Sequence, residues 1–132
     1  MAHVVVLVQD PEEKVRLHRI LAVQALGEEH RIAWCETISA MFRYLTAHIV
    51  DGVIVPLQMG DGRPLVPVIA RIARRFPVVT IYVYVAAAIS TRASAHTVFQ
   101  AGQAGAHHFV GIPGDGALSL RIQREANRRR TQ

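Results

Sequence analysis

The chain has 132 residues, of which 51% are hydrophobic, and a formal net charge of +5. This length suits one domain with a real core and is short for two. No apolar run approaches the roughly 20 residues that cross a bilayer, and no basic segment precedes the first apolar run. We therefore expect a soluble cytoplasmic protein. The single cysteine, Cys35, excludes an internal disulfide and a cysteine metal cluster, and its apolar neighbours predict a buried side chain.

The isoelectric point near 10.3 raises the question of nucleic acid binding. The basic residues fall on predicted helix faces and in the closing segment "QREANRRR", which we interpret as a solvated helix face or a linker. Aromatic residues of the kind that stack on bases do not alternate with them. We therefore do not expect this domain to bind nucleic acid directly.

The first half of the chain alternates apolar runs with amphipathic segments. Val4–Val8 predicts a buried strand, and residues 11–26 follow with helical spacing and two glutamates in the first turn. The segment "HRIAWCETI" predicts a second strand. Thr37 or Ser39 is then placed to cap a second helix, which runs through residue 48 with an apolar face of Met41, Phe42 and Leu45.

The second half continues the alternation. Gly52–Leu57 predicts a third strand, followed by the loop "QMGDGRP" and a helix over residues 64–75 whose apolar face is Leu65, Val68, Ile69 and Ile72. The β-branched and aromatic run "VVTIYVYVA" predicts a fourth strand. A helix over residues 91–101, a short strand in "HHFVGI" and a last helix capped by Asp115 complete the pattern.

Five apolar strands that alternate with five helices predict a single-domain, doubly wound parallel sheet with helices on both faces. In open sheets of this kind, binding and catalytic sites form beyond the carboxyl ends of the strands. The residues at those positions are Gln9, Asp10, Pro56, Val85 and Ile112.

Three separated segments carry a resemblance to a known family. They are "VVVLVQDPEE", "DGVIVPLQMGDG" and "AGAHHFVGIP", in that order. The chain resembles the receiver domain of bacterial two-component response regulators, which has the flavodoxin-like form of the doubly wound sheet. The resemblance covers nearly the whole chain, and we assign residues 1–125 to a receiver-like domain and 126–132 to a basic tail or linker.

Every position that carries the family's chemistry departs from the family's pattern. The resemblance places the phosphate-accepting aspartate at Pro56, which has no carboxylate and no backbone N–H to contribute. The acidic pair that holds Mg²⁺ in the family survives only as Asp10, because Gln9 replaces its partner, and one carboxylate is a poor site for this cation. The position of the family's lysine is Ile112. Phosphotransfer at Pro56 is therefore excluded, and we expect no metal, no cofactor and no enzymatic activity.

The switch hydroxyl of the family falls near the end of the fourth strand. Val85 or Ala86 replaces it in "YVYVAAA", although Ser90 and Thr91 lie close enough to leave the alignment open.

Other candidate sites are weaker. Asp51 begins the third strand and so lies at the wrong end of the sheet, and Asp61 has the ordinary role of a turn residue between two glycines. The glycine-rich loops "MGDG" and "GIPGDG" lack the residues of a phosphate-binding motif. The histidines do not repeat a metal-ligand spacing; they are His3, His18, His30, His48, His96, His107 and His108.

Two functions remain. The first is a degenerate, phosphorylation-independent receiver-like module of two-component-type signalling. The resemblance implies that it binds a protein partner or itself through the face of the fourth helix, fifth strand and fifth helix. The basic ending fits either a stand-alone domain or the front of a transcriptional regulator. The alternative is a small flavodoxin-like module that binds a nucleotide or another anionic ligand at the loops after Leu57 and Ile112.

Overall fold

Five parallel strands form one sheet in the computed structural model, which describes residues 3–23, 31–59, 63–84 and 99–110. In chain order the elements are β1 (His3–Leu7), α1 (Pro11–Val23), β2 (Arg31–Cys35), α2 (Ile38–Ala47), β3 (Gly52–Pro56), α3 (Val66–Arg75), β4 (Thr80–Tyr84) and β5 (His108–Val110), with a helical segment at residues 99–104. The strand order is β2-β1-β3-β4-β5, and all four pairings are parallel. The predicted five-stranded parallel sheet is confirmed.

Both faces of the sheet are covered, which explains why its strands are apolar throughout. On one face the sheet packs against α2, α3 and the helical segment 99–104 through the buried residues Met41, Leu45, Ile69, Ile72 and Ala101. On the other face it packs against Leu17 of α1. Because successive strand residues point to opposite faces, only a continuous apolar run can fill both layers.

The second helix begins at the predicted cap. Thr37 accepts a hydrogen bond from the Ala40 N–H at 3.1 Å through its hydroxyl oxygen, so Thr37, and not Ser39, is the N-cap of α2. The predicted apolar face of α2 is buried. Cys35, at the end of β2, is also buried, and burial raises the pKa of its thiol.

The third helix begins two residues later than predicted. The Leu65 N–H donates to the Leu57 oxygen at 3.1 Å, and the Met59 N–H donates to the Arg63 oxygen at 2.9 Å. These bonds hold Arg63 and Leu65 against Met59 and Leu57, Leu65 is the N-cap, and α3 starts at Val66.

The segment 99–104 extends the predicted fourth helix beyond residue 101 and ends at Gly105, which has a φ of 127°. The helix predicted from Asp115 and the basic tail lie outside the described residues. No helix in the described ranges combines the length and apolar character of a membrane span.

Candidate functional site

Pro56 is the last residue of β3 and is buried at the carboxyl edge of the sheet, which is the edge where the parallel strands end. It lies opposite Tyr84, the last residue of β4. The resemblance to receiver domains places the family's phosphate-accepting position here. Since β3 lies between β1 and β4, a residue at this point borders two neighbouring strands.

The nitrogen of Pro56 faces β1. The Leu57 N–H donates to the Tyr84 oxygen on β4 at 2.9 Å, and amides alternate in direction along a strand. In the pairing of β1 with β3, Val6 lies opposite Ile54. When this pairing is continued along both strands, an N–H at residue 56 would point at the Leu7 carbonyl. Proline has no N–H, so the buried Leu7 oxygen receives no hydrogen bond from the backbone of β3 at this point.

The hydroxyl of Tyr84 supplies the missing donor. It donates to the Leu7 oxygen at 3.1 Å in a buried bond between residues 77 positions apart. Because Tyr84 is on β4 and Leu7 is on β1, the phenol crosses the end of β3 at the level of Pro56. The side chain of Tyr84 is only 2% exposed. Tyr84 therefore occupies the carboxyl edge of the sheet at the end of β3.

The pKa of Tyr84 is strongly raised. Burial is the main cause, and the negative charges of Glu13 and Asp10 add to it. The hydroxyl consequently stays protonated at physiological pH and remains a hydrogen-bond donor to Leu7. A phenol held in this state is a structural group and a poor nucleophile.

Gln9 and Asp10 are both exposed in the turn between β1 and α1. The Asp10 carboxylate accepts the Glu12 N–H at 2.9 Å, and its backbone oxygen accepts the Lys14 N–H at 3.0 Å. Asp10 therefore acts as the N-terminal cap of α1, where a negative charge also suits the helix dipole. The Asp10 carboxylate therefore has a structural role.

Glu13 is an acidic residue of this edge that sequence reasoning missed. Its side chain is 14% exposed and lies 3.8 Å from the Arg16 guanidinium in an ion pair. The second carboxylate oxygen is buried and, within the described part of the chain, has no hydrogen-bond partner. The available signal was its position in the first turn of α1, which we interpreted only through the helix dipole.

These residues do not fit a Mg²⁺ ion. This cation requires an octahedral set of oxygen ligands, commonly including carboxylates. Asp10 uses one carboxylate oxygen as a helix cap, position 56 offers no side-chain oxygen, and the Tyr84 hydroxyl points its proton at Leu7. Among the described residues, no group of three or more histidine, cysteine, aspartate or glutamate side chains could hold a metal ion.

Ile112 and the region of the switch hydroxyl, Val85 to Thr91, lie outside the described residues, as does Asp61. The loop after β3 begins with apolar side chains, since Leu57 and Met59 are buried in the core.

Asp51 lies at the opposite, amino edge of the sheet, as predicted. Its carboxylate accepts the His3 N–H at 2.8 Å. The His3 ring contacts the Ile49 oxygen at 3.0 Å through Nδ1 and the Tyr44 hydroxyl at 2.6 Å through Nε2. Burial and the nearby Arg31 lower the pKa of His3. This cluster ties the start of β1 to the end of α2, away from the carboxyl edge.

Solved receiver domains share this fold over their whole length. A response regulator receiver domain protein from Clostridium thermocellum is 15% identical with a TM-score of 0.77, over 99% of this chain and 98% of that chain. The receiver domain of the TMAO respiratory system response regulator TorR is 16% identical with a TM-score of 0.76, over 97% and 98%. The signal receiver domain of an HD domain-containing protein from Pseudomonas fluorescens Pf-5 is 15% identical with a TM-score of 0.75, over 98% and 90%.

No family model matches the sequence, and no curated protein matches it. The likeness is therefore one of fold: the chain has the fold of response regulator receiver domains, at an identity too low to transfer their chemistry.

Proposed function

We propose that the chain is a receiver-like regulatory module of two-component-type signalling that acts by protein binding, without phosphorylation and without enzymatic activity. One observation carries the proposal. At the end of β3, Pro56 removes both the acceptor carboxylate and an amide, and the Tyr84 hydroxyl replaces that amide by bonding to Leu7 at 3.1 Å. The edge that serves phosphorylation in receiver domains is, in its described part, a packed structural junction.

Intact-mass measurement after incubation with acetyl phosphate and Mg²⁺ tests this function. We expect the mass to stay unchanged, while a receiver domain with an acceptor aspartate gains a phosphoryl group under the same conditions. A stable gain of one phosphoryl group by this chain would refute the proposal.

The receiver resemblance implies binding of a protein partner or self-association, through the face of the fourth helix, fifth strand and fifth helix. Phe99 supports a contact surface there, because its side chain is 64% exposed on the segment 99–104. Light scattering at increasing concentration should show a dimer, and a strict monomer would remove this part of the proposal. The coding sequence after residue 132 decides between a stand-alone module and the front of a transcriptional regulator.

The alternative, a module for nucleotides or other anions, gains no support from the described residues. Tyr84, Leu57 and Met59 are buried where such a ligand would sit beyond β3. Thermal shift against nucleotides and flavins separates the two functions, because a ligand at 100 times its dissociation constant adds about 2.7 kcal/mol of stability.

A further inference from the structure

Helices α2 and α3 carry a concentration of positive charge. Arg43 of α2 and Arg71, Arg74 and Arg75 of α3 are exposed, and neither helix contains an acidic residue. The ion pair between Arg16 and Glu13 lies on α1. We call these four arginines the arginine surface. Two neighbouring helices thus present four cations and carry no carboxylate of their own.

Two of these guanidinium groups are held in place by aromatic rings. Arg71 lies 4.7 Å from the centroid of Phe42, and Arg75 lies 5.7 Å from Phe42 and 5.4 Å from Phe76. The two rings are 6.4 Å apart, so α2 and α3 meet at this point. A guanidinium that stacks on a ring keeps its N–H groups available for carboxylate oxygens and has less freedom to lose on binding.

The helix dipole explains only part of this pattern. Arg74 and Arg75 lie in the last turn of α3, where a positive charge stabilises the helix. Arg71 lies one turn earlier and Arg43 lies inside α2, so this effect does not account for them.

Two strongly exposed aliphatic residues follow the C-terminal ends of the same helices. Ile49, in the turn after α2, is 96% exposed, and Val78, in the turn after α3, is 72% exposed. The two turns are neighbours at the amino edge of the sheet, because the Thr80 N–H donates to the Asp51 oxygen at 3.1 Å. Single exposed aliphatic residues are ordinary, but these two follow the ends of the two helices that carry the arginine surface.

We propose that the arginine surface, together with Ile49 and Val78, binds an acidic amphipathic segment of a partner protein. Carboxylates of that segment pair with the guanidinium groups of Arg71 and Arg75, and its apolar side chains cover the two aliphatic residues. This inference rests on the proposed function, since it names the class of partner that a protein-binding module would take and the surface that would take it.

Charge and side-chain chemistry favour this occupant over three others. A second copy would bring another chain of net charge +5 to the same cations, which is repulsive. Nucleic acid bases would find the faces of Phe42 and Phe76 already covered by arginine. Binding to a membrane surface relies on an apolar face with large side chains such as Trp, Phe and Leu, whereas the exposed apolar residues that follow these two helices are Ile49 and Val78.

The test is a titration of the isotope-labelled 132-residue chain with a synthetic helical peptide, followed by amide NMR. The peptide has roughly four turns, with leucines on one face and glutamates at every fourth position beside them. We expect shifts concentrated in residues 42–49 and 71–78, and weaker binding as salt is raised. Combined Arg71→Gln and Arg75→Gln should weaken binding about tenfold or more, and Ile49→Ser should weaken it as well.

Lys14→Gln combined with Arg19→Gln on α1 removes the same net charge from another part of the surface and should leave the affinity within about twofold. Absence of binding, shifts outside the two ranges, or equal loss in both double variants would overturn the proposal. Tighter binding of duplex DNA or anionic lipid vesicles by the same surface would overturn it in favour of those ligands. The phosphoryl mass test has its own readout, so failure here and failure of the proposed function are distinguishable.

Discussion

Pro56 offers neither a side-chain carboxylate nor a backbone N–H. The Leu7 oxygen accepts a hydrogen bond from the Tyr84 hydroxyl instead. A buried acceptor without a donor costs about 1–3 kcal/mol. The pairing of proline with tyrosine at this edge is therefore a coupled arrangement, in which one residue makes the other necessary.

This coupling predicts the effect of Tyr84→Phe. The substitution should lower the free energy of unfolding by about 1–3 kcal/mol in urea denaturation, because the Leu7 oxygen loses its donor. In a Pro56→Ala background the amide of residue 56 faces Leu7, so the same substitution should cost less. Tyr44→Phe, which removes a part-buried bond to His3, is the matched control and should have a smaller effect. Equal losses from Tyr84→Phe in both backgrounds would show that the two residues are not coupled.

His3 predicts a dependence of stability on pH. Its folded pKa is lowered below 6.5 by burial and then by Arg31 and His48, against the opposing effects of the Ile49 oxygen and Asp51. The unfolded state therefore binds the proton more readily. Stability from this group is present above pH 6.5 and is lost as the pH falls through the folded pKa.

Urea denaturation measures this effect. The wild type and His3→Gln are compared from about pH 7.5 to about pH 5, a range that brackets the unperturbed histidine pKa. The variant should lose less stability over that interval. Parallel pH profiles for His3→Gln and the wild type would contradict the assignment.

At the scale of elements, the turn between the segment 99–104 and β5 depends on one glycine. Gly105 has a φ of 127°, and a Cβ atom there would lie 2.6 Å from the Cβ of Ala73 on α3. Gly105→Ala should therefore lower the free energy of unfolding by about 1–3 kcal/mol. Gly102→Ala is the control, since a Cβ at Gly102 meets nothing within 4 Å and alanine favours a helix by about 0.5–1 kcal/mol. Thermal denaturation should separate the two, and equal midpoints would contradict the strain at Gly105.

The elements themselves could be predicted because each has a local cause. Apolar runs identified the strands, and the spacing of Met41, Phe42 and Leu45 identified the buried face of α2. The start of α3 was missed because it depends on hydrogen bonds from Leu65 to Leu57 and from Met59 to Arg63. Those bonds join residues that are several positions apart, and the apolar spacing does not reveal them.

The place of Pro56 in the sheet could be predicted, but its surroundings could not. Pro56 could be placed at the carboxyl edge from a strand pattern and a resemblance. The bond from Tyr84 to Leu7 joins residues 77 positions apart and exists only once β1, β3 and β4 are side by side. Tyr84 belongs to an aromatic, β-branched run, so its sequence context indicated strand packing and not a hydrogen-bonding role.

In the molecule as a whole, the fold is that of receiver domains, but the residues described at the carboxyl edge have structural roles. The sheet order β2-β1-β3-β4-β5 is that of a doubly wound flavodoxin-like sheet. At its carboxyl edge, Asp10 caps a helix and Tyr84 crosses the end of β3. The molecule has the fold of receiver domains, while the exposed arginines lie on α2 and α3, and the exposed Ile49 and Val78 lie at the amino edge.

We expect the surroundings of position 56, and not only the absence of a carboxylate there, to prevent phosphorylation of this chain. The most direct test is the intact mass of the Pro56→Asp variant after treatment with acetyl phosphate and Mg²⁺, with circular dichroism to verify its fold and an intact receiver domain as positive control. We predict an unchanged mass, because Asp10 is engaged as a cap and Tyr84 fills the edge. A gain of one phosphoryl group by the folded variant would contradict the account.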